Sequence, residues 1–287
     1  MRARAFSPGH ITGFFMICDG HGLDSSGSRG AGACISLGAT SEVQASSGTG
    51  RMEVMINGRP SPAPVTRQAL AYLIEDRTID VRVETSLDLP CGQGFGMSAA
   101  GTLSAALAMT ELMGSDMEEA VTASHRAEIV HRSGLGDVAA IATGGVTIRR
   151  REGIPPHGLV ERIPGDLELV LAVVGPEIHT AEVLGRDMRR RINTVGEECL
   201  YALGDSPTLS NLFRLSQDFA RRTGLITPPV EAALEAIDGL GPGSMVMLGN
   251  SVFASGELDE IQEVLSQRGE CHRSGVDWKG PRILDSP

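Results

Sequence analysis

The clearest pattern along the chain is the alternation of apolar and polar residues over residues 79–86, which predicts a β-strand. Strand-like residues also fill residues 13–18, 33–45 and 51–56. Because a Ser-Gly-Thr-Gly turn sequence separates the last two stretches, we expect them to pair as a β-hairpin.

The remaining pattern of the first half predicts one loop and several helices. A Gly- and Ser-rich stretch at residues 20–32 is typical of a loop, either a flexible linker or a loop that contacts substrate. Apolar spacing predicts a helix at residues 65–75, a high content of Ala, Leu and Met predicts one at 97–113, and capping residues predict one at 116–131. A short helix from residue 136 and a strand at 145–150 are expected next.

In the second half, helices predominate. Three prolines interrupt residues 151–165, which are the predicted boundary between an N-terminal domain at residues 1–155 and a C-terminal domain at 156–287. An apolar strand is predicted at residues 167–174. Beyond it we expect helices at 180–192, 194–203, 209–222 and 229–237, a strand-turn-strand at 244–255, a helix at 257–267 and a final strand in the tail.

The composition of the 287-residue chain is that of a folded, water-soluble protein, with 41% hydrophobic and 21% charged residues. Its net charge of −11 argues against a nucleic-acid partner, because such proteins carry a basic face. No apolar run approaches the roughly 18 residues that span a membrane, and we expect no secretory signal. Five cysteines without C-x-x-C spacing predict a cytoplasmic protein with neither disulfides nor a zinc site.

Candidate chemistry lies at residues 90–100, Pro-Cys-Gly-Gln-Gly-Phe-Gly-Met-Ser-Ala-Ala, which run into the helix predicted from residue 97. The three alternate glycines can adopt positive φ angles, and a helix that starts directly after them directs unpaired N–H groups to one point. That arrangement suits a phosphate, and Ser98 in the first turn can reach the phosphate or its metal.

Two familiar phosphate motifs are excluded. The loop is not a Walker A motif, because no Gly-Lys-Ser/Thr follows and Lys279 is the one lysine of the chain. It also fails the dinucleotide fingerprint G-x-G-x-x-G, because Met97 replaces the third glycine, which argues against a dehydrogenase. On these residues alone, a tight turn without a ligand stays open.

Three segments together resemble the GHMP kinase superfamily. Residues 90–100 are similar to its second motif, with Phe95 for Leu and Met97 for Ser. Residues 7–15 and 241–250 stand where the superfamily has its first and third motifs, although the third is poor in glycine. Within the superfamily, four stretches resemble the archaeal branch that phosphorylates pantoate, namely residues 8–15, 27–32, 132–138 and 247–254.

This resemblance implies an α+β GHMP kinase fold, in which an N-terminal α/β domain related to a ribosomal-protein domain precedes a ferredoxin-like domain with a helical insertion. It also implies phosphorylation of pantoate to 4-phosphopantoate by ATP with Mg²⁺, a step toward coenzyme A. Two alternatives stay open: another small-alcohol kinase, similar to mevalonate or homoserine kinase, and a non-catalytic nucleotide-binding protein of the same fold. A homodimer is a further expectation from the family.

The resemblance implies roles for individual residues as well. Ser98 and Glu128 are the expected Mg²⁺ ligands, and Asp137 is the expected base or hydroxyl-orienting group. From the sequence alone, Glu128 could instead lie on a solvated helix face and Asp137 could cap the next helix. The residues expected to bind ATP are Pro90, Gly92, Gln93, Gly94, Phe95, Gly96, Met97, Ser98 and Ala99.

A hydroxy acid such as pantoate needs a partner for its carboxylate, and the planar fork of arginine suits that role. Arg149, at the end of a predicted strand, is the expected partner, with Ser28 and His125 as further substrate contacts and His10 and Arg29 in reserve. As alternatives, Arg149 could belong to a solvated basic corner, and His125 could be a half-buried helix histidine.

Overall fold

The computed structural model describes residues 1–178 and 185–286. The first strands are β1 Arg2–Cys18, β2 Gly27–Ser47, β3 Met52–Ile56, β4 Arg59–Pro60, β5 Ile79–Leu87, β6 Val146–Arg151 and β7 Leu159–Ile163. Among them lie the helices α1 Pro64–Ile74, α2 Met97–Met113, α3 Met117–His131 and α4 Asp137–Thr143. Then follow β8 Glu168–Val173, α5 Arg186–Asp205, α6 Leu209–Thr223, α7 Pro228–Ala236, β9 Gly243–Met245, β10 Ser251–Ala254, α8 Leu258–Ser266, β11 Glu270–Gly275 and β12 Arg282–Asp285.

These strands form two sheets. The larger sheet has the order β12-β1-β2-β5-β3-β4, and it is extended by β6, which pairs with β2, and by β7, which pairs with β6. The smaller sheet has the order β11-β8-β10-β9. Because most strand pairs are antiparallel and the helices do not alternate regularly with the strands, the chain is α+β, as the sequence predicts.

The hairpin predicted between residues 33–45 and 51–56 is wrong, because β5 lies between β2 and β3. β5 pairs antiparallel with β2 and parallel with β3, so that Val83 stands opposite Val43 on one side and Val54 on the other. All three valines are buried. The alternation that makes β5 the clearest predicted strand therefore also supplies the apolar residues that place it inside the sheet.

The loop predicted at residues 20–32 is partly wrong, since β2 already begins at Gly27. β1 is much longer than the predicted strand at residues 13–18, and it pairs with β2 along its whole length. Glycine makes this pairing close, because a Cβ at Gly30 would lie 2.2 Å from the carbonyl oxygen of Phe14. The glycines that suggest a loop in the sequence instead allow β1 and β2 to approach each other closely.

The helix α2 is the centre of the first part of the molecule. It packs against β1 and β2 on one side and against α1 and α3 on the other. The first three predicted helices and the short helix at α4 are confirmed. Across residues 1–178 and 185–286, no helix is both long enough and apolar enough to cross a membrane.

In the second part, α5 is a single helix where two were predicted, and residues 180–184 of the first predicted helix lie outside the described residues. The three helices predicted further along the chain are confirmed as α6, α7 and α8. The tail contains two strands, β11 and β12, in place of one. β12 returns to the larger sheet and pairs with β1.

The division into domains at residues 155 and 156 stays a prediction. β7 lies within the proline-containing stretch at residues 151–165 and still pairs with β6 of the larger sheet. Strand pairing changes to the smaller sheet with β8.

An aromatic contact joins α6 to β1. The ring of Phe219 is completely buried, and its centroid lies 6.4 Å from that of Phe14 and 5.7 Å from that of Phe15. Because residues 7–15 of β1 also carry one of the family-like segments, this contact helps to hold that segment in place.

We predict that Phe219→Ala lowers the free energy of unfolding by about 3–5 kcal/mol, because it leaves a cavity between α6 and β1. Urea denaturation followed by circular dichroism measures the change. Tyr201→Ala is the matched control, since Tyr201 is 74% exposed, and it should stay within about 0.5 kcal/mol of the parent protein. Equal losses in the two variants would contradict a structural role for the contact.

Candidate active site

The three family-like segments meet at one point of the structure. The backbone N–H of His10 donates to the carbonyl of Phe95 at 2.9 Å, and the N–H of Met247 donates to the carbonyl of Thr12 at 3.2 Å. A Cβ at Gly94 would lie 2.8 Å from the carbonyl oxygen of Met247, so glycine permits the contact between the second and third segments. β1 is therefore bonded to both of the other segments.

The glycine loop before α2 has the geometry of a phosphate site. Gly92, Gly94 and Gly96 have φ angles of +70°, +83° and +67°, as expected for the alternate glycines. Gly96 directly precedes α2 and has no side chain that could cap the N–H groups of the first turn. These N–H groups and the positive end of the helix dipole are therefore available to an anion.

A cavity of about 160 Å³ lies at this helix end. It brings together most of the predicted site residues, namely Ser28, Pro90, Gly92, Gly94, Phe95, Gly96, Met97, Ser98, Ala99, Glu128, Asp137 and Arg149. Residues that the sequence analysis did not single out also line it, including Thr12, Phe15, Ser133, Ile178, Met247 and Leu248. Thr12 could have been identified from the sequence, because residues two apart in a strand share one face and Thr12 lies two residues after His10.

Two predicted residues, Gln93 and His125, lie outside the described cavity lining. The amide of Gln93 donates to the carbonyl of Gly175 at 3.0 Å and accepts from the hydroxyl of Ser251 at 3.2 Å. The buried His125 has its Nε2 atom 3.2 Å from the carbonyl oxygen of Leu23, and burial lowers its pKa. Gln93 therefore anchors the glycine loop, and Nε2 of His125 contacts the loop before β2, while the substrate contact expected of His125 stays a prediction.

Asp137 is the first residue of α4, and Gly136 occupies the capping position, so Asp137 is not the helix cap. Its Oδ1 atom lies 2.8 Å from Nδ1 of His10. Burial acts to raise the pKa of Asp137, but the hydrogen bond from His10 and the charge of Arg149 outweigh burial and lower it. The side chain is also 27% exposed, which limits the effect of burial, so Asp137 is ionised at neutral pH.

Glu128 has the opposite environment. It lies near the end of α3 and is 1% exposed, so it does not belong to a solvated helix face. Burial, and then the charge of Asp137, raise the pKa of Glu128 well above its usual range. Within the described chain, its Oε2 atom has no hydrogen-bond partner. A buried carboxyl group with a free oxygen beside a second carboxylate suits a cation, which would stabilise its ionised form.

The donor set fits one kind of metal site. Over residues 1–178 and 185–286, no group of three or more His, Cys, Asp or Glu side chains is arranged to hold a metal ion. Ser98 lines the same cavity as Glu128 and is exposed. One carboxylate and one hydroxyl suit Mg²⁺, which keeps water and phosphate ligands and seldom uses an all-protein cage.

The side chain of Arg149 is buried beside Ser28, which excludes the alternative of a solvated basic corner. A Cβ at Gly136 would lie 2.4 Å from Oγ of Ser28 and 3.1 Å from Nε of Arg149, so both polar groups converge on the loop before α4. Among the residues that the structure describes, Nε of Arg149 has no hydrogen-bond partner. Arg29 is engaged elsewhere, since its Nε donates to Glu152 at 2.6 Å.

The ring of His10 lies over a glycine of β2. A Cβ at Gly32 would lie 2.8 Å from Nε2 of His10 and 2.1 Å from the carbonyl oxygen of Ile11. The absence of a side chain at Gly32 therefore provides the space in which the buried imidazole lies between β2 and Asp137.

We predict that Gly32→Ala lowers the free energy of unfolding by about 1–3 kcal/mol, because the new methyl group overlaps the β1 backbone and the His10 ring. Gly275→Ala is the matched control in strand β11, where a Cβ would meet nothing within 4 Å in the described chain. Its effect should stay within about 0.5 kcal/mol. Chemical denaturation of both variants measures the difference, and an equally stable Gly32→Ala protein would argue against this packing.

Comparison with known proteins agrees with the fold. The profile of the GHMP kinases N terminal domain matches residues 65–145, which contain the glycine loop, Glu128 and Asp137. A solved phosphotransferase related to the coenzyme A biosynthesis pathway is 29% identical, with a TM-score of 0.89 and 99% of both chains covered. Mevalonate kinase of L. major in complex with R-mevalonate shares the fold at 17% identity, with a TM-score of 0.70 and 96% of both chains covered. Fold and site together define a GHMP kinase.

Curated relatives indicate which family within the GHMP kinases the chain resembles. The pantoate kinase of Thermococcus kodakarensis is 33% identical, covering 93% of this chain and 92% of that protein. The pantoate kinase of Methanospirillum hungatei is 34% identical, covering 99% of this chain and 96% of that protein. The chain therefore belongs to the pantoate kinase family of the GHMP kinases, which confirms the resemblance seen in its motifs.

Proposed function

We propose that this protein transfers the γ-phosphoryl group of ATP to the primary hydroxyl of pantoate, forming 4-phosphopantoate and ADP as a step toward coenzyme A. The single observation that carries the proposal is one cavity in which a phosphate-binding helix end faces Asp137, Glu128 and the buried Arg149. The pantoate kinase relatives support the choice of acceptor.

The triphosphate is assigned to the glycine loop and the first turn of α2. Backbone N–H groups there offer several donors to the β- and γ-phosphates, and Ser98 adds a hydroxyl. An apolar cavity lined by Ala63, Val65, Leu87 and Ser98 adjoins this loop and suits the nucleoside end of ATP. ATP would therefore bridge the two cavities across Ser98.

Glu128 and Ser98 would hold Mg²⁺ in this arrangement. When bound, the ion would neutralise charge on the transferring phosphoryl group. Glu128 is suited to this role because its buried carboxyl group has a free oxygen and becomes a good ligand once a cation favours the ionised form.

Asp137 would act as the base. Its Oδ1 atom is occupied by the hydrogen bond from His10, which leaves Oδ2 to accept the proton of the pantoate hydroxyl. The hydroxyl oxygen then forms the new P–O bond as the bond between the γ-phosphorus and its bridging oxygen breaks, and ADP leaves. The lowered pKa of Asp137 keeps the base ionised at neutral pH.

Arg149 and Ser28 would bind the carboxylate of pantoate. The free Nε–H of Arg149 and the hydroxyl of Ser28 lie close together at the backbone of Gly136. A guanidinium that is 2% exposed holds a carboxylate more strongly than an exposed one, because little water competes for it. This anchor would distinguish a hydroxy acid from a neutral alcohol. The homodimer, expected from the family, and the cytoplasmic location, expected from the cysteine pattern, also belong to the proposal.

An assay with pantoate, mevalonate and homoserine, each with ATP and Mg²⁺, tests the proposal. We expect ADP release with pantoate and a new phosphate monoester at its primary carbon by ³¹P NMR. Turnover of mevalonate or homoserine without turnover of pantoate would make this protein a different small-alcohol kinase. Nucleotide binding without turnover of any acceptor would favour the non-catalytic alternative.

We predict that Asp137→Asn lowers kcat by well over tenfold, because the amide cannot accept the hydroxyl proton. Circular dichroism and thermal denaturation should show an intact fold. Asp166→Asn, at an exposed position, serves as the control and should retain normal kcat. A near-normal kcat in Asp137→Asn would remove this residue from the mechanism.

We predict that Arg149→Lys raises KM for pantoate about tenfold or more and leaves KM for ATP within about twofold, because the ammonium group cannot replace the planar fork. The neighbouring Arg150→Lys is the matched control, since Arg150 forms its ion pair with Glu161 on the surface. Steady-state kinetics with each substrate varied in turn gives both constants. Equal increases in the two KM values would speak against a specific carboxylate contact.

A further inference from the structure

His10 contacts two groups of the site that the proposed function uses separately. Its Nδ1 atom lies 2.8 Å from Oδ1 of Asp137, and its Nε2 atom lies 3.4 Å from Nη1 of Arg149. The imidazole is completely buried and lies outside the described cavity lining, which places it behind the groups that would contact substrate.

The two contacts determine where the ring carries its proton. An arginine Nη1 can only donate a hydrogen bond, so Nε2 of His10 must present its lone pair to Arg149. In a neutral imidazole the proton is then on Nδ1, which donates to the carboxylate of Asp137. Burial outweighs the attraction of Asp137 and lowers the pKa of His10, which agrees with a neutral ring.

We infer that His10 is a positioning residue that holds Oδ1 of Asp137 through Nδ1–H, in a tautomer fixed jointly by Arg149 and Asp137, and so turns Oδ2 toward the acceptor hydroxyl. This inference rests on the proposed function for its catalytic consequence. Its structural part, the fixed tautomer, does not depend on which acceptor the enzyme uses.

Hydrogen bonds connect Arg149, which would bind the acceptor carboxylate, through His10 to Asp137, the proposed base. Arg149 keeps its Nε–H free for the acceptor carboxylate while Nη1 faces the imidazole. Because the ring is packed over Gly32 and bonded at both nitrogens, Asp137 has one preferred orientation before substrate arrives. Such preorganisation matters, since a misplacement of about 1 Å can cost roughly a hundredfold in rate.

The tautomer is tested without any assay of activity. Long-range ¹H–¹⁵N NMR of protein labelled at its seven histidines distinguishes Nδ1–H from Nε2–H rings, and the signal lost in His10→Gln identifies His10. We expect a neutral Nδ1–H ring at pH 7, with the doubly protonated form becoming more populated in Arg149→Met, because the charge of Arg149 disfavours the imidazolium. A Nε2–H or doubly protonated ring in the parent protein would overturn the inference.

The catalytic part of the inference is tested by replacing His10 with two amide side chains of different length. In His10→Asn the side-chain NH₂ can occupy the position of Nδ1, whereas in His10→Gln it reaches the position of Nε2 and leaves Asp137 unsupported. We expect His10→Gln to lower kcat by about 10–100-fold with KM for the acceptor within about threefold, and His10→Asn to recover most of the loss. His131→Gln, at an exposed histidine, is the control for the substitution itself.

A double-mutant cycle separates positioning from general damage. If His10 acts through Asp137, adding His10→Gln to Asp137→Asn should cost less than about threefold further in kcat. Full additivity, or equal kcat in His10→Asn and His10→Gln with unchanged melting temperatures, would overturn the positioning role. If no acceptor is turned over, the proposed function fails, while the NMR result still decides the tautomer.

Discussion

The close approach of β1 to the glycine loop is the constraint on which the site depends. The N–H of His10 donates to the carbonyl of Phe95, and glycines on both sides permit it. A Cβ at Gly9 would lie 2.9 Å from that carbonyl oxygen, and one at Gly96 would lie 3.1 Å from the nitrogen of His10. This contact holds the start of α2 against the strand that carries His10, and therefore sets the uncapped N–H groups of α2 relative to Asp137.

Within this frame, two neighbouring carboxyl groups acquire different properties from their surroundings. Asp137 has a lowered pKa, because a hydrogen bond from His10 and the charge of Arg149 favour its ionised form. Glu128 has a raised pKa, because it is buried and its neighbour is negative. Environments that separate the pKa values of paired carboxyl groups are typical of sites in which the two have different roles. One is suited to accept a proton and the other to hold a cation.

The same arrangement has a cost in stability. Within residues 1–178 and 185–286, Glu128 and Arg149 each bury a polar atom without a partner, which disfavours folding and has to be offset by the apolar core around α2. Such exceptions to ordinary packing are expected at functional sites. The overall charge of −11 is compatible with the proposed binding of a triphosphate, because backbone N–H groups and Arg149 would determine the local field.

The sequence by itself determined the features that depend on neighbouring residues. The glycine loop and α2 follow each other directly. β5 has its own alternation of apolar and polar residues, and the first helices are marked by their spacing, composition or caps. Their positions could therefore be predicted. Resemblance to a family supplied Glu128, Asp137 and Arg149, because no local rule separates a site residue from a solvated or capping one. The resemblance could not show that the amide of Gln93 and Nε2 of His125 contact backbone carbonyl groups.

Only the tertiary structure decided which distant segments pair. It inserted β5 between β2 and β3, began β2 inside a glycine-rich stretch and returned β12 to the first sheet. It also joined His10 to Asp137 across 127 residues of chain. These outcomes depend on burial and hydrogen bonding summed over the whole molecule, and a local pattern of residues contains no information about contacts at such separations.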